Sequence, residues 1–269
     1  MATTDAMQLP PKLKTHKQYT LVIPLDLQRD RVLLGYKLRG FGQGKYNGFG
    51  GKVEQGESIV AAAIRELHEE SGLLVREPDM IQRGALLLET VADNSSPILE
   101  IHVFTVDKWE GTENATDEMH PTWFSLSESL TPTSATPAPI PTPNVISGSL
   151  PSSFLSTPPG TEAHDLPLAL PLQPIPYHQM WEESRVWLPR LLQNLMPPDL
   201  VPQEQQEEQQ QKKKRYFIHH VQFIGGVDRD VSSNGEYSVW HGMGERRLDW
   251  VDELPVGEWD SRRTFGRYP

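Results

Sequence analysis

The chain of 269 residues contains no cysteine. This absence excludes disulfide bonds, thiolate metal sites and a cysteine nucleophile. It also fits a reducing compartment, so we expect an intracellular, cytoplasmic protein, with the nucleus or a mitochondrion as alternatives. Residues 1–18 lack the apolar stretch of a secretory signal, in keeping with that expectation.

Long hydrophobic runs are also missing. The most apolar stretch, residues 165–175, is interrupted by prolines and is shorter than the roughly 18 residues that cross a membrane. Basic residues number 25 against 36 acidic ones, which gives a formal net charge of −11. Because nucleic-acid binders usually carry a basic surface, we do not expect a nucleic-acid polymer as partner. Since no apolar run is long enough to span a bilayer, we do not expect a membrane as partner either. A small phosphorylated substrate stays compatible, since divalent cations can locally reverse the field.

Two segments have a biased composition. Residues 131–174 hold 11 of the 24 prolines and no lysine or arginine, so they predict a disordered insertion rather than part of a core. Residues 203–211 are almost entirely glutamine and glutamate and predict a second insertion. We expect one discontinuous domain, formed by residues 17–130 and 175–245, with flexible tails at 1–16 and 255–269.

The remaining segments predict alternating strands and helices. Short apolar and β-branched runs predict strands at 21–25, 32–36, 85–91, 98–106, 122–126, 216–223 and 236–240, with the strand at 216–223 ending at Gly225-Gly226. A helix is predicted from about Ser58, as N-cap, to Ser71, with Gly72 as the stop. Residues 180–195 predict an amphipathic helix that includes Trp181 and Trp187, although Pro189 is unfavourable within it.

The most informative stretch is GKVEQGESIVAAAIRELHEESGL, residues 51–73. It fits the pattern G-x5-E-x7-R-E-U-x-E-E-x-G-U, in which U is a bulky aliphatic residue. The fixed positions are Gly51, Glu57, Arg65, Glu66, Leu67, Glu69, Glu70, Gly72 and Leu73. An ordinary solvated helix face would explain the glutamates alone, but it does not explain the surrounding glycines, Glu57 and Arg65.

Helical geometry brings the glutamates of this stretch together on one side of the helix. Glu66, Glu69 and Glu70 fall within one sector of about 100° on the helix, beside an apolar sector that can face a sheet. Like charges at this spacing destabilise a helix, so the cluster needs a compensating cation. Hard oxygen ligands without His or Cys favour Mg²⁺, or Mn²⁺, over zinc. A main-chain carbonyl near Gly50 can add a ligand.

A supporting role is expected for Arg65. We expect it to point away from the centre of the cluster, to hold Glu57 and to orient the glycine loop. Glu69 and Glu70 are both candidates for general base, and the sequence leaves the choice between them open.

The match to the box of the Nudix family is complete, and the chain resembles that family. Similarity beyond the box, at residues 19–58, 102–104, 116–124, 180–189 and 212–223, points to the hydrolases of oxidised purine nucleoside triphosphates. The resemblance implies an α/β Nudix fold, with a mixed, curved sheet between helices. It also implies a metal-dependent enzyme that cleaves small nucleotides such as 8-oxo-dGTP or 2-hydroxy-dATP to the monophosphate and pyrophosphate. We expect a monomer.

The same resemblance assigns the substrate pocket. It places Thr20 and Asn47 against the base, Lys37 and Phe41 along the pocket, Trp181 over the purine, Glu183 at an acidic position, and Glu118 beside the metal. Each assignment has a structural alternative. Asn47 could cap the glycine turn, and Trp181 could belong to the core. Lys37 could be a surface residue and Glu118 a turn residue.

The sequence departs from the family's pattern in two places, a run of three residues and a single residue. The family has Pro-Asp-Asp after the pocket tryptophan, where this chain has Glu182, Glu183 and Ser184, and an aromatic residue where Leu88 stands. Without a gap, Glu183 replaces the first acid and Ser184 the second. Both changes concern base recognition, so we expect intact phosphate chemistry with weaker discrimination of damaged bases.

Two other functions compete with this hypothesis. One is a Nudix hydrolase of another class of substrate, such as ADP-ribose or a diphosphoinositol phosphate. The other is a catalytically idle Nudix fold that acts as a binding module, with the proline-rich insertion docking partners. An idle member would be expected to have lost glutamates of the box, and this chain retains them all.

Overall fold

A computed structural model describes residues 14–90, 96–130, 171–196, 216–224, 227–229, 238–240 and 243–254. The strands are β1 (His16–Asp26), β2 (Arg31–Lys37), β3 (Tyr46–Asn47), β4 (Ile81–Thr90), β5 (Ile98–Val106), β6 (Met119–Ser125), β7 (Tyr216–Phe223), β8 (Val227–Arg229), β9 (Ser238–Trp240) and β10 (Met243–Val251). The α-helices are α1 (Ile59–Ser71), α2 (Leu126–Leu130) and α3 (Ser184–Leu195), and short 3-10 helices lie at Leu27–Arg29, Glu77–Asp79 and Tyr177–Gln179.

Eight of these strands form one mixed sheet. Its order is β10, β7, β4, β5, β1, β2 and β3, and β6 also pairs with β2. The β1–β5 and β4–β7 pairs are parallel, whereas the other pairs are antiparallel. Strands β8 and β9 pair only with each other in the described part of the chain.

Alternating side chains give the sheet two apolar faces. Leu21 and Ile23 of β1 pack in one hydrophobic cluster, while Val22 between them packs in another. Successive side chains of a strand point to opposite faces, so the two clusters lie on opposite sides of the sheet. The first contains Trp187 of α3, and the second contains Leu67 of α1. The predicted mixed sheet between helices is therefore confirmed.

Residues on the two sides of the proline-rich segment share one core. Leu21 and Trp187 belong to the same cluster of buried side chains. The backbone N–H of Ile175 donates to Ser129 Oγ at 2.7 Å, beside the end of β6. The predicted insertion at 203–211 and residues 131–170 of the one predicted at 131–174 lie outside the described residues, as do residues 1–13 and 255–269 of the predicted tails. Residues 171–174 are described, and the backbone N–H of Ser125 donates to Gln173 O at 2.9 Å. The domain boundaries therefore stay a prediction.

Several elements differ from their predicted bounds. Strand β10 was not predicted, and it continues past residue 245, where the domain was expected to end. Its sequence, MGERRLDWV, carries charges on both faces, which obscures the strand alternation. Helix α3 begins at Ser184 rather than at Met180. A 3-10 helix at Tyr177–Gln179 and a short loop precede it. Only residues 238–240 of the strand predicted at 236–240 are described, and Gly225-Gly226 is not.

Within the described residues, no helix is both long enough and apolar enough to cross a membrane.

Shortening the proline-rich segment tests whether one domain suffices. Residues 133–168 would be replaced by a short glycine–serine linker that keeps Ser129 and Ile175. Because long surface loops add little closure entropy, we expect the free energy of unfolding to change by no more than about 1–2 kcal/mol. Chemical denaturation measures this, with removal of residues 129–175 as a destabilised control. Loss of the cooperative transition in the shorter variant would show that the segment belongs to the core.

Candidate active site

Helix α1 is defined at both ends by its sequence. Ser58 is the N-cap, and its hydroxyl accepts a hydrogen bond from the backbone N–H of Ala61 at 3.1 Å. Gly72 ends the helix in the left-handed conformation, with φ of 78°, which glycine adopts without strain. Ala63 and Leu67 pack against the sheet. The helix is thus fixed with the side chains of its glutamates along one edge.

Arg65 is the main cation among these glutamates. Its Nη2 lies 2.7 Å from Glu57 Oε1, so it holds Glu57 as expected. Its Nη1 also lies 2.9 Å from Glu66 Oε1 and 3.3 Å from Glu69 Oε2. Arg65 therefore does not point away from the cluster, because its planar group is long enough to reach three carboxylates. Hydrogen bonding to Arg65 holds the pKa of Glu57 below its usual range.

Glu70 is buried between the helix and the glycine loop. The backbone N–H of Gly50 donates to Glu70 Oε2 at 2.8 Å, and Lys37 Nζ donates to Oε1 at 2.9 Å. Burial raises the pKa of Glu70, and the Lys37 charge opposes that rise without cancelling it. Gly50 thus meets the cluster through its N–H, whereas the sequence predicted a carbonyl contribution.

Lys37 joins Glu70 to a second carboxylate. Its Nζ lies 2.7 Å from Glu118 Oε1, and Glu118 sits in the turn just before β6. Burial alone lowers the pKa of Lys37, but the two carboxylates outweigh burial and the net pKa is raised. Lys37 and Glu118 are therefore brought together at the acidic cluster, rather than at an isolated surface position.

Glu66 lies against the glycine loop. A Cβ added to Gly51 would come within 2.4 Å of Glu66 Oε1, so only glycine leaves room for this carboxylate. Burial raises the pKa of Glu66, and repulsion from Glu69 and Glu118 adds to the rise. This repulsion shows that Glu118 shares one electrostatic environment with the glutamates of α1.

The donor chemistry of this cluster fits a hard divalent cation, since all its side-chain ligands are carboxylates. Among the described residues, however, no three carboxylates or imidazoles converge tightly enough to hold a metal as they stand. Arg65 and Lys37 account for this, because their cationic groups occupy the carboxylate oxygens. A metal would replace the contacts that these two cations make.

Two aromatic side chains expected in the pocket do meet. The rings of Phe41 and Trp181 stack with centroids 4.9 Å apart, and Phe41 remains 38% exposed. Lys45 Nζ lies 5.1 Å from the centre of the Trp181 ring. Lys45 was not singled out from the sequence, although a cation between Gly44 and Tyr46 in the glycine-rich loop was a usable signal.

Glu183, the residue expected at the acidic position after Trp181, has a buried side chain. Glu183 and Ser184 are buried, while Glu182 is exposed. Ser184 Oγ lies 3.4 Å from Glu183 Oε1, a long hydrogen bond that leaves the carboxyl poorly satisfied. Burial raises the pKa of Glu183 to about 7, against a weaker opposing effect of Lys45. Glu183 is therefore protonated in part at neutral pH.

Thr20 and Asn47, the two residues expected against the base, lie on strands β1 and β3. Thr20 shares a face of β1 with Val22, on the α1 side of the sheet, away from the cluster that contains Trp187. Its buried hydroxyl has no hydrogen-bond partner within the described parts of the chain, and its backbone N–H donates to Gly51 O at 2.8 Å. Asn47 Oδ1 accepts from the Gly48 N–H at 3.0 Å, which is the turn-capping contact. Neither contact by itself indicates a base site.

Comparisons with known proteins agree with this geometry. A model of the NUDIX domain matches residues 15–142. An oxidized purine nucleoside triphosphate hydrolase from Danio rerio is 35% identical over 67% of this chain and 82% of its own length. This chain belongs to the Nudix family. A Mus musculus protein of the same name is 47% identical over 43% of this chain and 70% of its own length.

The Nudix assignment identifies α1 as the Nudix helix and the protein as a hydrolase of phosphorus anhydrides. Among solved structures, a MutT mutator protein from Bacillus halodurans is similar, with a TM-score of 0.47 and 17% identity. That similarity covers 87% of this chain and 97% of the other.

A stability measurement tests the burial of Glu183. Its pKa is raised from 4.5 to about 7, so the folded state binds this proton more tightly than the unfolded state. The associated stability is present below about pH 4.5 and is lost as the pH rises through about 7, by up to about 3 kcal/mol. We therefore expect Glu183→Gln to gain stability relative to wild type between pH 5 and 8. Chemical denaturation at each pH measures the difference.

The exposed neighbour provides the control for this experiment. Glu182→Gln removes the same charge one residue away and should follow the wild-type pH profile. If wild type and Glu183→Gln have parallel pH profiles, the carboxyl of Glu183 is hydrated or paired in the folded protein.

Proposed function

We propose that this Nudix hydrolase removes pyrophosphate from oxidised purine nucleoside triphosphates and leaves the monophosphate. The observation that carries the choice of substrate is the buried Glu183, which follows the Trp181 that stacks on Phe41. The names of the mouse and zebrafish relatives support the same class of substrate. The action would remove damaged nucleotides before their incorporation into DNA.

The Nudix helix supplies the phosphate chemistry in this proposal. Glu66, Glu69, Glu70 and Glu118, with a backbone carbonyl at Gly50, would hold Mg²⁺, for which Mn²⁺ can substitute. When bound, such an ion neutralises phosphate charge and lowers the pKa of a coordinated water. Gly51 gives Glu66 room at this site, and Arg65 holds Glu66 and Glu69 while no metal is bound.

Exposure distinguishes the two candidates for general base. Glu69 has a side chain 57% exposed, whereas that of Glu70 is 4% exposed and tied to Lys37 and Gly50. A base that takes a proton from water must have access to that water. We therefore favour Glu69 as base and Glu70 as the ligand nearest the loop, with Lys37 released to the phosphates when the cation binds.

The base pocket would use aromatic and acidic groups together. Trp181 and Phe41 offer flat faces on which a purine can stack. A protonated Glu183 can donate to an acceptor on the base edge, and an ionised one accepts from a donor. Because Glu182 is exposed and Ser184 stands at the second acidic position, the acid pair of the family is not rebuilt. Asn47 and Thr20 stay proposed contacts with the base.

The cellular setting is also a proposal. An acidic chain without cysteines suits a cytoplasmic enzyme that acts on small nucleotides, and we propose that it works as a monomer.

Product release across a panel of substrates tests the proposed function. Pyrophosphate formation would be measured with and without Mg²⁺ for 8-oxo-dGTP, 2-hydroxy-dATP, dGTP and dATP. For ADP-ribose and capped RNA, the products of their own hydrolysis would be measured instead of pyrophosphate. We expect Mg²⁺-dependent pyrophosphate release, with a higher kcat/KM for oxidised than for normal purines. Preference for ADP-ribose would favour another Nudix class, and no turnover of any substrate would favour the binding module.

Substitution of the buried glutamate tests the metal cluster. Glu70→Gln keeps the size of the side chain but removes the charge of a proposed metal ligand. Because loss of groups that merely support metal ligands already costs about 10–100-fold, we expect kcat to fall by at least about 100-fold. The fold should survive, because the substitution also relieves repulsion on the helix. Glu77→Gln, in the 3-10 helix at Glu77–Asp79, is the matched control and should keep wild-type activity. Near-normal turnover in Glu70→Gln would remove that residue from the metal cluster.

A further inference from the structure

A cavity lies apart from the Nudix site. It has a volume of about 550 Å³ and lies between α3 and the paired strands β7 and β10. Its walls include Arg185 and Arg190 of α3, His219 of β7, and Arg246 of β10. None of the residues proposed above for the metal or the base lines it.

The charge of this cavity is opposite to that of the protein. Three arginines line it, and the described residues that form its walls include no aspartate or glutamate. The chain as a whole has a formal net charge of −11. A concentration of arginines in an acidic protein creates a local field that attracts anions. Guanidinium groups also match the oxygens of phosphates in geometry.

The fold explains why these residues meet. On β10, Arg246 lies opposite Val221, and Leu248 lies opposite His219 of β7. Val221 and Leu248 both pack with the cluster on the α3 side, so Arg246 and His219 face α3 as well. Arg185 and Arg190 lie five residues apart on α3, in adjacent turns. The cavity is therefore a product of the sheet register and the position of the helix.

His219 provides an independent sign of a missing partner. Its side chain is fully buried, and Nδ1 lies 3.2 Å from the carbonyl oxygen of Arg247. In the neutral ring, Nδ1–H donates to that carbonyl and Nε2 carries a lone pair. Among the residues that the structure describes, none forms a hydrogen bond with Nε2. Burial chiefly, and then the charges of Arg190 and Arg246, lower the pKa of His219 to about 4, which keeps the ring neutral.

We propose that this cavity binds a small phosphate-bearing molecule at a site separate from the Nudix site. Arg190 and Arg246 bind the anionic oxygens, and Nε2 of His219 accepts a hydrogen bond from a protonated phosphate oxygen. Monohydrogen phosphate and the monoanions of phosphate monoesters carry such a P–OH group together with negative charge. The volume also falls within the range of about 300–1,000 Å³ found for small-molecule sites, so an organic group can accompany the phosphate.

Binding of inorganic phosphate to the full chain tests this proposal. Titrations would be followed by calorimetry and by NMR of the His219 ring, with EDTA present and no divalent cation. We expect saturable binding, a shift of the His219 signals, and weaker binding at higher salt. The double variant Arg190→Gln/Arg246→Gln should weaken binding by roughly tenfold or more, since it removes two charged donors. Titration with a nucleoside monophosphate shows whether an attached organic group increases the affinity.

Two controls separate this site from other anion sites. Arg29→Gln/Arg76→Gln removes the same charge from two exposed arginines outside the cavity, and binding should remain. Glu70→Gln alters the Nudix site, and phosphate should still bind, so failure of the proposed function does not affect this result. Absence of binding, equal affinity in the double variant, or equal loss in the Arg29/Arg76 control would overturn the proposal. If the double variant is unstable, Arg190→Gln alone, exposed on α3, replaces it.

Discussion

Repulsion among carboxylates on one edge of the Nudix helix is the constraint on which the rest of the site depends. Glu66, Glu69 and Glu70 lie within one helical sector, and burial makes the charges of Glu66 and Glu70 more costly. Two cations offset this cost in the protein, Arg65 on the helix itself and Lys37 from β2. In the proposed function, a metal would take the place of these two cations and would offset the repulsion in their stead.

The sheet places these charges where a nucleotide can reach them. β2 carries Lys37 at its end, the following loop carries Phe41 and Lys45, and the same loop returns to the Nudix helix through Gly50 and Gly51. α3 closes the opposite face and presents Glu183 just before its first residue. The arginine-lined cavity uses residues from Arg185 to Gln193 of the same helix, so α3 joins the proposed base pocket to the proposed phosphate site.

Much of this arrangement could be predicted because it is local. Helix α1 has a cap, a stop and a fixed motif within one short stretch, and strands β5 and β7 have strongly apolar sequences. Features that arise from tertiary contacts could not be predicted. The reach of Arg65 into the cluster depends on its rotamer, the face occupied by Thr20 depends on register, and β10 is stabilised by pairing rather than by its own pattern. The cavity at Arg246 depends on side-chain rotamers, on strand register and on strand pairing together.

The central claim is that the carboxylates of the Nudix helix form a divalent-cation site. Titration of the substrate-free full chain with Mn²⁺, followed by electron paramagnetic resonance of the free ion, tests it most directly. The account predicts saturable binding that competes with Mg²⁺ and is lost in Glu66→Gln/Glu70→Gln, while the double variant remains folded by circular dichroism. Binding of equal affinity in that variant, or no binding to the wild-type chain, would contradict it.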